Sequence, residues 1–453
     1  MGRDAHGFPF RPVLEWRRLV HVCQRWRCII FESPLQLDLQ LLCTHGTPVR
    51  KNLPCWPPMP LIVDYYTYWD ADNSEGEGVT PYEDDVMAAL EHPDRVRYAG
   101  ISVTSPLLGK MAKSMQKPFP ILTHLWLSSK DGNVPVLPKT FLGGSAPLLR
   151  VALLEGIPYP ALPTLLLSTT DLVELQLLNI PESGYISPDA MVARLRALVR
   201  LEILSIGFQS SRSFPNPSPL PPLTRVISPS LSTFTFRGAS EYLEYLLIQI
   251  DTPLLENLTI VYFNQSSPFH VPHLSDFTHR TASLNLHRFK HARVEFGESY
   301  VSASLYEGYR VEPESLECHF VLQISCQWLD WQILHMTQVL GQCSAVLSQV
   351  DDVFIDTYDL SSGWRADEYV EPSEWLELLS RFRGVRILRV SKQLTKHVIL
   401  ALEDTTASGE NVADILPTLQ LLCLGNQPEA SVEQCIGTRK VTSQHENDSV
   451  TQE

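Results

Sequence analysis

One apolar pattern recurs along most of the chain and constrains its fold more than any other feature. The template L-x-x-L-x-L repeats at intervals of about 24 to 30 residues, inside the periods of 20 to 50 residues that mark repeat proteins. It begins at Tyr98, Leu122, Leu148, Leu172, Leu201, Leu231 and Leu255. A weaker match begins at Thr281, and after a blurred stretch (288–347) the template returns at Val350, Val385 and Leu419. Each template predicts a short β-strand.

Amphipathic segments lie between these strands. Residues 105–115, 187–198, 240–250 and 372–382 carry apolar side chains at helical spacing, so each is predicted to form a helix. Strand-helix units of this length cannot bury their apolar faces alone and must stack on their neighbours. The sequence therefore predicts an α/β fold, an irregular leucine-rich-repeat-like solenoid of parallel strands alternating with helices, over residues 96–427. We expect irregular coils because the usual Asn or Cys position holds unrelated residues, namely Lys130, Gly156, Ile180, Gln209, Ala239 and Phe263.

A helix is predicted near the start of the chain, over residues 14–34. Its apolar residues follow steps of three and four and share one face: Trp16, Leu19, Val20, Cys23, Trp26, Ile29 and Ile30. Ser33 and Pro34 end it, because the residue before a proline is pushed out of the helical region. From periodicity alone this is an amphipathic helix that packs on a core.

The string L-V-H-V-C-Q-R-W-R-x-I-x-x-x-S-P at residues 19–34 resembles the second half of an F-box domain. With the leucine-rich run that follows, the chain is similar to the F-box/leucine-rich-repeat proteins that mushrooms (basidiomycetes) encode in large numbers. The resemblance implies the substrate-recognition subunit of a cullin-based ubiquitin ligase. Its N-terminal helix would dock on a Skp-type adaptor through Trp16, Leu19, Val20, Cys23 and Trp26, and its solenoid would hold a protein client. The residues before Trp16 do not match the first half of an F-box, so that half is either degenerate or encoded upstream.

The domain organisation follows from these segments. Residues 1–34 form the partial F-box-like helix. Residues 35–95 hold the first strands (35–41 and 61–66), a proline-rich connector (48–60) and an acidic loop (70–85). The solenoid follows over residues 96–427, with a proline-rich loop at 215–222, and residues 428–453 are predicted to be a disordered polar tail.

The strand period also predicts a client-binding face. In L-x-x-L-x-L the second, fourth and sixth residues are expected to point into the core, and the intervening residues to face the concave surface. The side chains expected to be exposed there are His124, Trp126, Arg150, Glu174, Gln176, Thr233, Thr235, Arg237, Asn257, Asp352, Asp356 and Arg389. Tryptophan and arginine are enriched at the energetic centres of protein interfaces. A merely solvated surface is the competing interpretation of the same residues.

Composition excludes several classes of function. A net charge of −15 argues against a nucleic-acid partner, which needs a basic face. Neither a signal peptide nor a membrane span is visible, which predicts an intracellular protein, cytoplasmic or nuclear, with no membrane partner and reduced cysteines.

The densest histidines (His270, His273, His279, His287 and His291) lack metal-ligand spacing, so no metal or cofactor is expected. No catalytic constellation stands out. The alternative to a ligase subunit is therefore a non-catalytic repeat scaffold with no link to ubiquitin, not an enzyme.

Overall fold

A computed structural model describes residues 21–32, 40–44, 48–54, 58–66, 83–158, 162–210, 224–264, 269–284, 288–307, 319–343, 347, 349–357, 370–408 and 412–425. The fold is mixed α/β, with mostly parallel strands alternating with helices in sheets that do not close into a barrel. The chain divides into two compact units, residues 1–209 and 210–453.

Unit 1 contains parallel strands in the order of the sequence. They are β1 (Leu41–Cys43), β2 (Leu61–Tyr66), β3 (Val96–Val103), β4 (His124–Ser129), β5 (Val151–Glu155), β6 (Glu174–Ile180) and β7 (Ile203–Phe208). The helices of this unit are α1 (Gln24–Glu32), α2 (Val49–Asn52), α3 (Glu83–Leu90), α4 (Ser105–Ser114), α5 (Leu162–Ser168) and α6 (Pro188–Leu195). A 3-10 turn at Phe141–Gly144 takes the place of a helix between β4 and β5, and a second one, Glu182–Gly184, precedes α6.

The local sequence explains where α6 begins. Pro188 occupies its first turn, where a missing N–H costs nothing, and the Ser187 hydroxyl accepts the Ala190 N–H at 3.2 Å. The predicted start at Ser187 is confirmed. Met191 and Leu195 then lie one turn apart on the buried side of the helix.

The core of unit 1 lies on one side of its sheet. Parallel pairing aligns one row of inward side chains across six strands: Val63, Ala99, Leu125, Ala152, Leu175 and Leu204. Each of them is at most 1% exposed. At about 25 cal/mol per Å² of apolar surface, such rows supply much of the stability of the unit, with Leu108 and Met111 of α4 covering them.

Unit 2 has the spatial strand order β9-β11-β14-β13-β12-β15-β16-β17. The strands are β9 (Thr233–Gly238), β11 (Asn257–Tyr262), β12 (His291–Phe296), β13 (Tyr300–Tyr306), β14 (Phe320–Ser325), β15 (Asp352–Thr357), β16 (Ile387–Val390) and β17 (Leu421–Leu424); β8 (Val226–Ile227) and β10 (Ile250–Asp251) form a separate parallel pair. The helices are α7 (Ser240–Gln249), α8 (Pro272–Arg280), α9 (Leu329–Gln342), α10 (Pro372–Leu379), α11 (Thr395–Ser408) and α12 (Val412–Ile415).

Strand β13 is antiparallel to both of its neighbours, β12 and β14. A short connection (297–299) joins β12 to β13, as antiparallel pairing allows. The prediction of an exclusively parallel strand arrangement is wrong here. Inward side chains still align across the change of direction, because Phe320, Leu305 and Ala292 share a row and are all buried.

A backbone hydrogen bond recurs just before successive strands of unit 1. The amide of Thr123 donates to the carbonyl of Arg97, that of Arg150 to Thr123, that of Val173 to Arg150 and that of Glu202 to Val173, each at 2.8 Å. Equivalent residues of consecutive strand-helix units are therefore joined by equivalent bonds. In unit 2 the amide of Gln420 makes the same contact with the carbonyl of Arg386.

Most predicted strands and helices are present, and the failures have identifiable causes. The match at Thr281 is wrong, because Ala282–Leu284 forms a 3-10 turn and the next strand begins at His291. The connector at 48–60 contains α2, and the last residues of the predicted acidic loop form the first turn of α3, where carboxylates favour a helix N-terminus. Most of strand 35–41, the rest of the acidic loop, the proline-rich loop at 215–222 and the tail at 428–453 lie outside the described residues.

Candidate functional site

The side of the unit 1 sheet opposite the core carries two aligned rows of side chains. One row runs Ile62, Tyr98, His124, Val151, Glu174 and Ile203, and the next runs Asp64, Gly100, Trp126, Leu153, Gln176 and Ser205. His124, Trp126, Glu174 and Gln176 therefore lie on this face, as the strand period predicts. They are half-buried rather than exposed, because neighbouring strands crowd them from both sides.

Arg150 does not occupy the position that the template assigned to it. In β5 the core residues are Ala152 and Leu154, whereas Val151 and Leu153 align with His124 and Trp126 on the open face. The template at Leu148 is thus displaced by one residue. Arg150 precedes the strand, is exposed and is equivalent to Thr123.

An aromatic and apolar cluster forms the centre of this face. The Tyr98 ring lies over Gly100, where an added Cβ would be only 2.8 Å from Tyr98 Cε1. The ring centroids of Tyr98 and His124 are 6.1 Å apart. Trp126 and Leu153 are cross-strand neighbours in the next row. We call Tyr98, Trp126, Val151 and Leu153 the apolar centre of the unit 1 face.

Polar groups surround the apolar centre. The Gln176 side-chain amide donates to the Glu174 carboxylate, and the Ser128 hydroxyl donates to Glu155 at 2.9 Å. His124 is held by the hydroxyl of Thr123, 2.9 Å from its Nδ1. Burial first, and then the positive charges of Arg97 and Arg150, lower the pKa of His124 to about 4. His124 is therefore neutral near pH 7 and adds ring surface rather than charge.

The corresponding face of unit 2 is charged. The Arg293 guanidinium donates to the Asp356 carboxylate at 2.7 Å and lies 3.0 Å from Glu295, the residue two positions along β12. Its Cζ is also 5.6 Å from the centroid of the Phe354 ring. Tyr300 donates its hydroxyl hydrogen to Glu295 at 3.1 Å. One arginine thus joins side chains of β12 and β15.

Asp352 is the second charged centre of the unit 2 face. It lies 3.3 Å from Arg389 Nε and 3.6 Å from His291 Nδ1, and the His291 ring stacks on Tyr306 at 5.7 Å. Asp352 was predicted to be exposed, but it is only 7% exposed. Burial of a carboxylate requires compensating partners, and the Arg389 guanidinium supplies one by donating to Asp352.

The other end of the unit 2 face holds the remaining predicted residues. Thr233, Thr235 and Asn257 are half-buried, and the Asn257 amide is 3.4 Å from the Thr233 hydroxyl. Arg237 is exposed, with its guanidinium 5.6 Å from the centroid of the Phe263 ring. Apart from Arg150, the predicted residues thus lie on two faces, one in each unit.

The N-terminal helix is exposed where an amphipathic core helix was predicted. Helix α1 begins at Gln24, and Trp26 and Ile29 are 47% and 52% exposed, whereas Ile30 is buried. Cys23 is also exposed. The prediction that Cys23, Trp26 and Ile29 face a core is therefore wrong, because Ile30 alone of the described stripe is covered. Trp16, Leu19 and Val20 lie outside the described residues.

Sequence reasoning missed several residues of these faces: Tyr98, Val151, Leu153, His291, Arg293, Glu295 and Tyr306. Tyr98 was assigned to the first position of a template, but it aligns with His124, the third position of the next one. The alternation of His291, Arg293 and Glu295 with buried residues was a signal for β12 that the repeat template did not capture.

The described residues meet the requirements of neither a metal site nor a membrane-spanning helix. Among the residues that the structure describes, no three His, Cys, Asp or Glu side chains converge to hold a metal ion. Nor does any helix in that part of the chain combine the length and apolarity needed to cross a bilayer. On the unit 2 face, Arg293 and Arg389 pair with carboxylates of neighbouring strands.

No protein-family model matches the chain, and no curated protein is significantly similar to it.

Proposed function

We propose that this chain is a non-catalytic recognition protein, with a client protein bound on the open sheet faces and α1 docked on a Skp-type adaptor. In this role it is the substrate-recognition subunit of a cullin-based ubiquitin ligase, as the F-box resemblance implies. The observation that carries the client-binding part is the apolar centre of the unit 1 face, Tyr98, Trp126, Val151 and Leu153, within a polar surround.

The finer fold assignment belongs to the same proposal. Each unit is a run of leucine-rich-repeat-like coils, and the recurring bonds from Thr123, Arg150, Val173 and Glu202 support it. Identical bonds between consecutive units are expected when each coil stacks on the one before. In such a stack the strand faces form a continuous surface for a protein partner.

The make-up of the unit 1 face favours a protein client. Interfaces gain most of their binding energy from a few aromatic and arginine side chains in a largely apolar centre with a polar rim. Trp126 is a half-buried amphipathic aromatic side chain of this kind, Tyr98 is only 5% exposed, and exposed Arg150 lies close enough to His124 to influence its pKa. Fixed strands also hold these side chains in place before binding, which reduces the ordering cost.

The exposure of α1 supports the adaptor part. A tryptophan and an isoleucine on the outside of a helix lose apolar hydration when a partner covers them. Trp26 belongs to the Val-Cys-x-x-Trp string that carries the F-box resemblance. Trp26→Ala is expected to change folding stability little, about 0.5 kcal/mol or less, because the side chain is half exposed.

The adaptor test is direct binding of the purified chain to a purified Skp-type adaptor, measured by isothermal titration calorimetry. Trp26→Ala should weaken binding at least tenfold. Trp328→Ala is the matched control, since Trp328 is also 47% exposed but lies in unit 2. Equal binding by the two variants, or no binding by the parent chain, contradicts the adaptor role and leaves the repeat scaffold.

The client test uses a photo-crosslinking amino acid at Leu153, with the same amino acid at Lys113 of α4 as the control. A client of the unit 1 face should be crosslinked from position 153 only, and Trp126→Ala should reduce the yield. Crosslinking of the same proteins from both positions contradicts a binding role for this face.

A further inference from the structure

Helix α9 has an unusual outer surface. Most of its residues are buried, and its only two exposed residues, Trp331 and Leu334, are both apolar, with exposures of 41% and 39%. Trp328, just before the helix, is 47% exposed. Positions 328, 331 and 334 follow each other at steps of three, which places them on neighbouring turns of one side. We call Trp328, Trp331 and Leu334 the α9 patch.

Trp331 is held in a fixed orientation. Its ring contacts the His335 ring at 5.5 Å and 86°, and His335 in turn contacts Phe269 at 5.0 Å. His335 is buried, so the indole leans on a rigid support. A large side chain that is already ordered loses little entropy when a partner covers it.

Carboxylates lie beside the patch. Asp330 precedes Trp331, and its carboxylate accepts the Trp331 N–H at 2.7 Å. Glu374 of α10 is close enough to Asp330 for the two negative charges to interact. Among the described residues, the structure shows no ion pair for either carboxylate, whereas Glu377 farther along α10 pairs with Arg381. In the described part of the chain, the patch therefore borders two carboxylates that have no ion-pair partner.

We propose that the α9 patch binds a short cationic amphipathic helix of a partner protein, with apolar side chains on Trp328, Trp331 and Leu334 and lysine or arginine beside Asp330 and Glu374. The negative charges of Asp330 and Glu374 favour a cationic helix over the other possible partners. An anionic lipid surface would be repelled by the carboxylates, and a second copy of the chain would add a like-charged carboxylate pair. This surface is separate from the sheet faces and α1, and the proposal does not depend on their function.

Recognition of an amphipathic helix by an apolar patch of this kind has a defined contact pattern. A partner helix presents apolar residues at i, i+3 and i+4 to the patch and basic residues on the flanks. Indole rings also attract lysine and arginine through their faces. Apolar contact should set the affinity, and charge should set the preference for a basic partner and the salt dependence.

The probe is a fluorescently labelled synthetic helix of leucine and lysine, about four turns long, titrated with the full chain by fluorescence anisotropy. A second peptide with the same leucine face and glutamate in place of lysine controls for apolar stickiness. Titrations at low and high salt separate the two contributions. The full chain should bind the lysine peptide at least tenfold more tightly than the glutamate peptide at low salt.

The variants separate the patch from the general acidity of the chain. Trp331→Ala should weaken binding of the lysine peptide about 30-fold, and Trp328→Ala should act in the same direction without touching His335. The double variant Asp330→Asn and Glu374→Gln should weaken binding several-fold and reduce its salt dependence. Trp26→Ala is the matched control and should leave binding unchanged. Circular dichroism checks that each variant is folded.

Each alternative occupant has a distinct outcome. Equal binding by the Trp331→Ala and Trp26→Ala variants, or no binding of the lysine peptide, overturns the proposal. Trp331-dependent binding to phosphatidylcholine/phosphatidylserine vesicles in place of the peptide would assign the patch to a membrane. A dimer in sedimentation velocity that Trp331→Ala dissociates would assign it to a second copy.

Discussion

Glu244 of α7 offers the sharpest test of the structure, because two physical effects on its carboxylate oppose each other. The side chain is only 7% exposed and accepts the N–H groups of His273 and Leu274, at 2.6 and 3.0 Å, at the start of α8. These bonds favour the ionised carboxylate, whereas burial favours the neutral acid. Burial prevails and raises the pKa of Glu244 from 4.5 to about 7.

The sign of the effect on stability follows from this direction. A carboxyl group whose pKa is higher in the folded than in the unfolded chain contributes stability below its unfolded pKa and loses it as the pH rises through the folded pKa. The loss falls between pH 4.5 and about 7, and at 1.36 kcal/mol per unit it amounts to about 3 kcal/mol. Among the described residues, the ionisable groups close to Glu244 include His273, Asp276, Tyr262 and Cys343.

The perturbation is Glu244→Gln, which keeps the shape of the neutral acid and cannot ionise. Hydrogen exchange of peptides from residues 269–284 measures the free energy of opening of α8 locally, so global two-state unfolding need not be assumed. The free energy of opening of the parent chain minus that of the Glu244→Gln variant should decrease by about 3 kcal/mol as the pH rises from 4.5 to about 8. Taking the difference cancels the titration of the histidines. A difference that rises with pH would mean that the two N–H donors outweigh burial, and would refute the reasoning.

Two further predictions use matched pairs within the chain. Gly143 has φ +59°, and an added Cβ would lie 2.5 Å from Pro118 N, so Gly143→Ala should lower the free energy of unfolding by about 3 kcal/mol or more. Gly132 has φ +66° but open space around it, so Gly132→Ala should cost only about 1 kcal/mol. Equal shifts in melting temperature for the two variants would contradict the close contact at Gly143. Arg293→Ala leaves the partly buried Glu295 and Asp356 without their cation, so it should lower the free energy of unfolding in urea by about 2 kcal/mol. Arg200→Ala removes an exposed pair with Asp171 and should cost about 0.5 kcal/mol or less. Equal losses of stability would mean that the unit 2 pairs are no stronger than surface pairs.

Sequence patterns predict most of the strands because apolar residues in them alternate without ambiguity. At β4, Leu125 and Leu127 are separated by Trp126, so only one register buries the leucines. At β5 the run Val151-Ala152-Leu153-Leu154 is apolar throughout, and either register satisfies the template. Pairing with β4 and β6 resolves this choice, and that information is not local.

The charged part of the unit 2 face could not be predicted from the sequence for a related reason. Arg293 and Asp356 are 63 positions apart, and antiparallel β13 interrupts the repeat between them. A template of one strand followed by one helix does not anticipate an antiparallel hairpin within the sheet. The burial of Asp352 likewise depends on Arg389, which only the folded sheet brings beside it.

The two faces therefore suit different kinds of contact. In unit 1 pairing adds Tyr98, which is only 5% exposed, and the half-buried apolar side chains Val151 and Leu153. A partner would therefore gain mainly by covering Val151, Leu153 and the predicted Trp126. In unit 2 the added side chains, Arg293 and Glu295, already satisfy each other, and a partner that displaced them would lose their ion pair. Affinity should thus come mainly from unit 1. The fixed charges of unit 2 are better suited to reject partners with mismatched charge, because breaking a satisfied pair costs more than an extra surface contact returns.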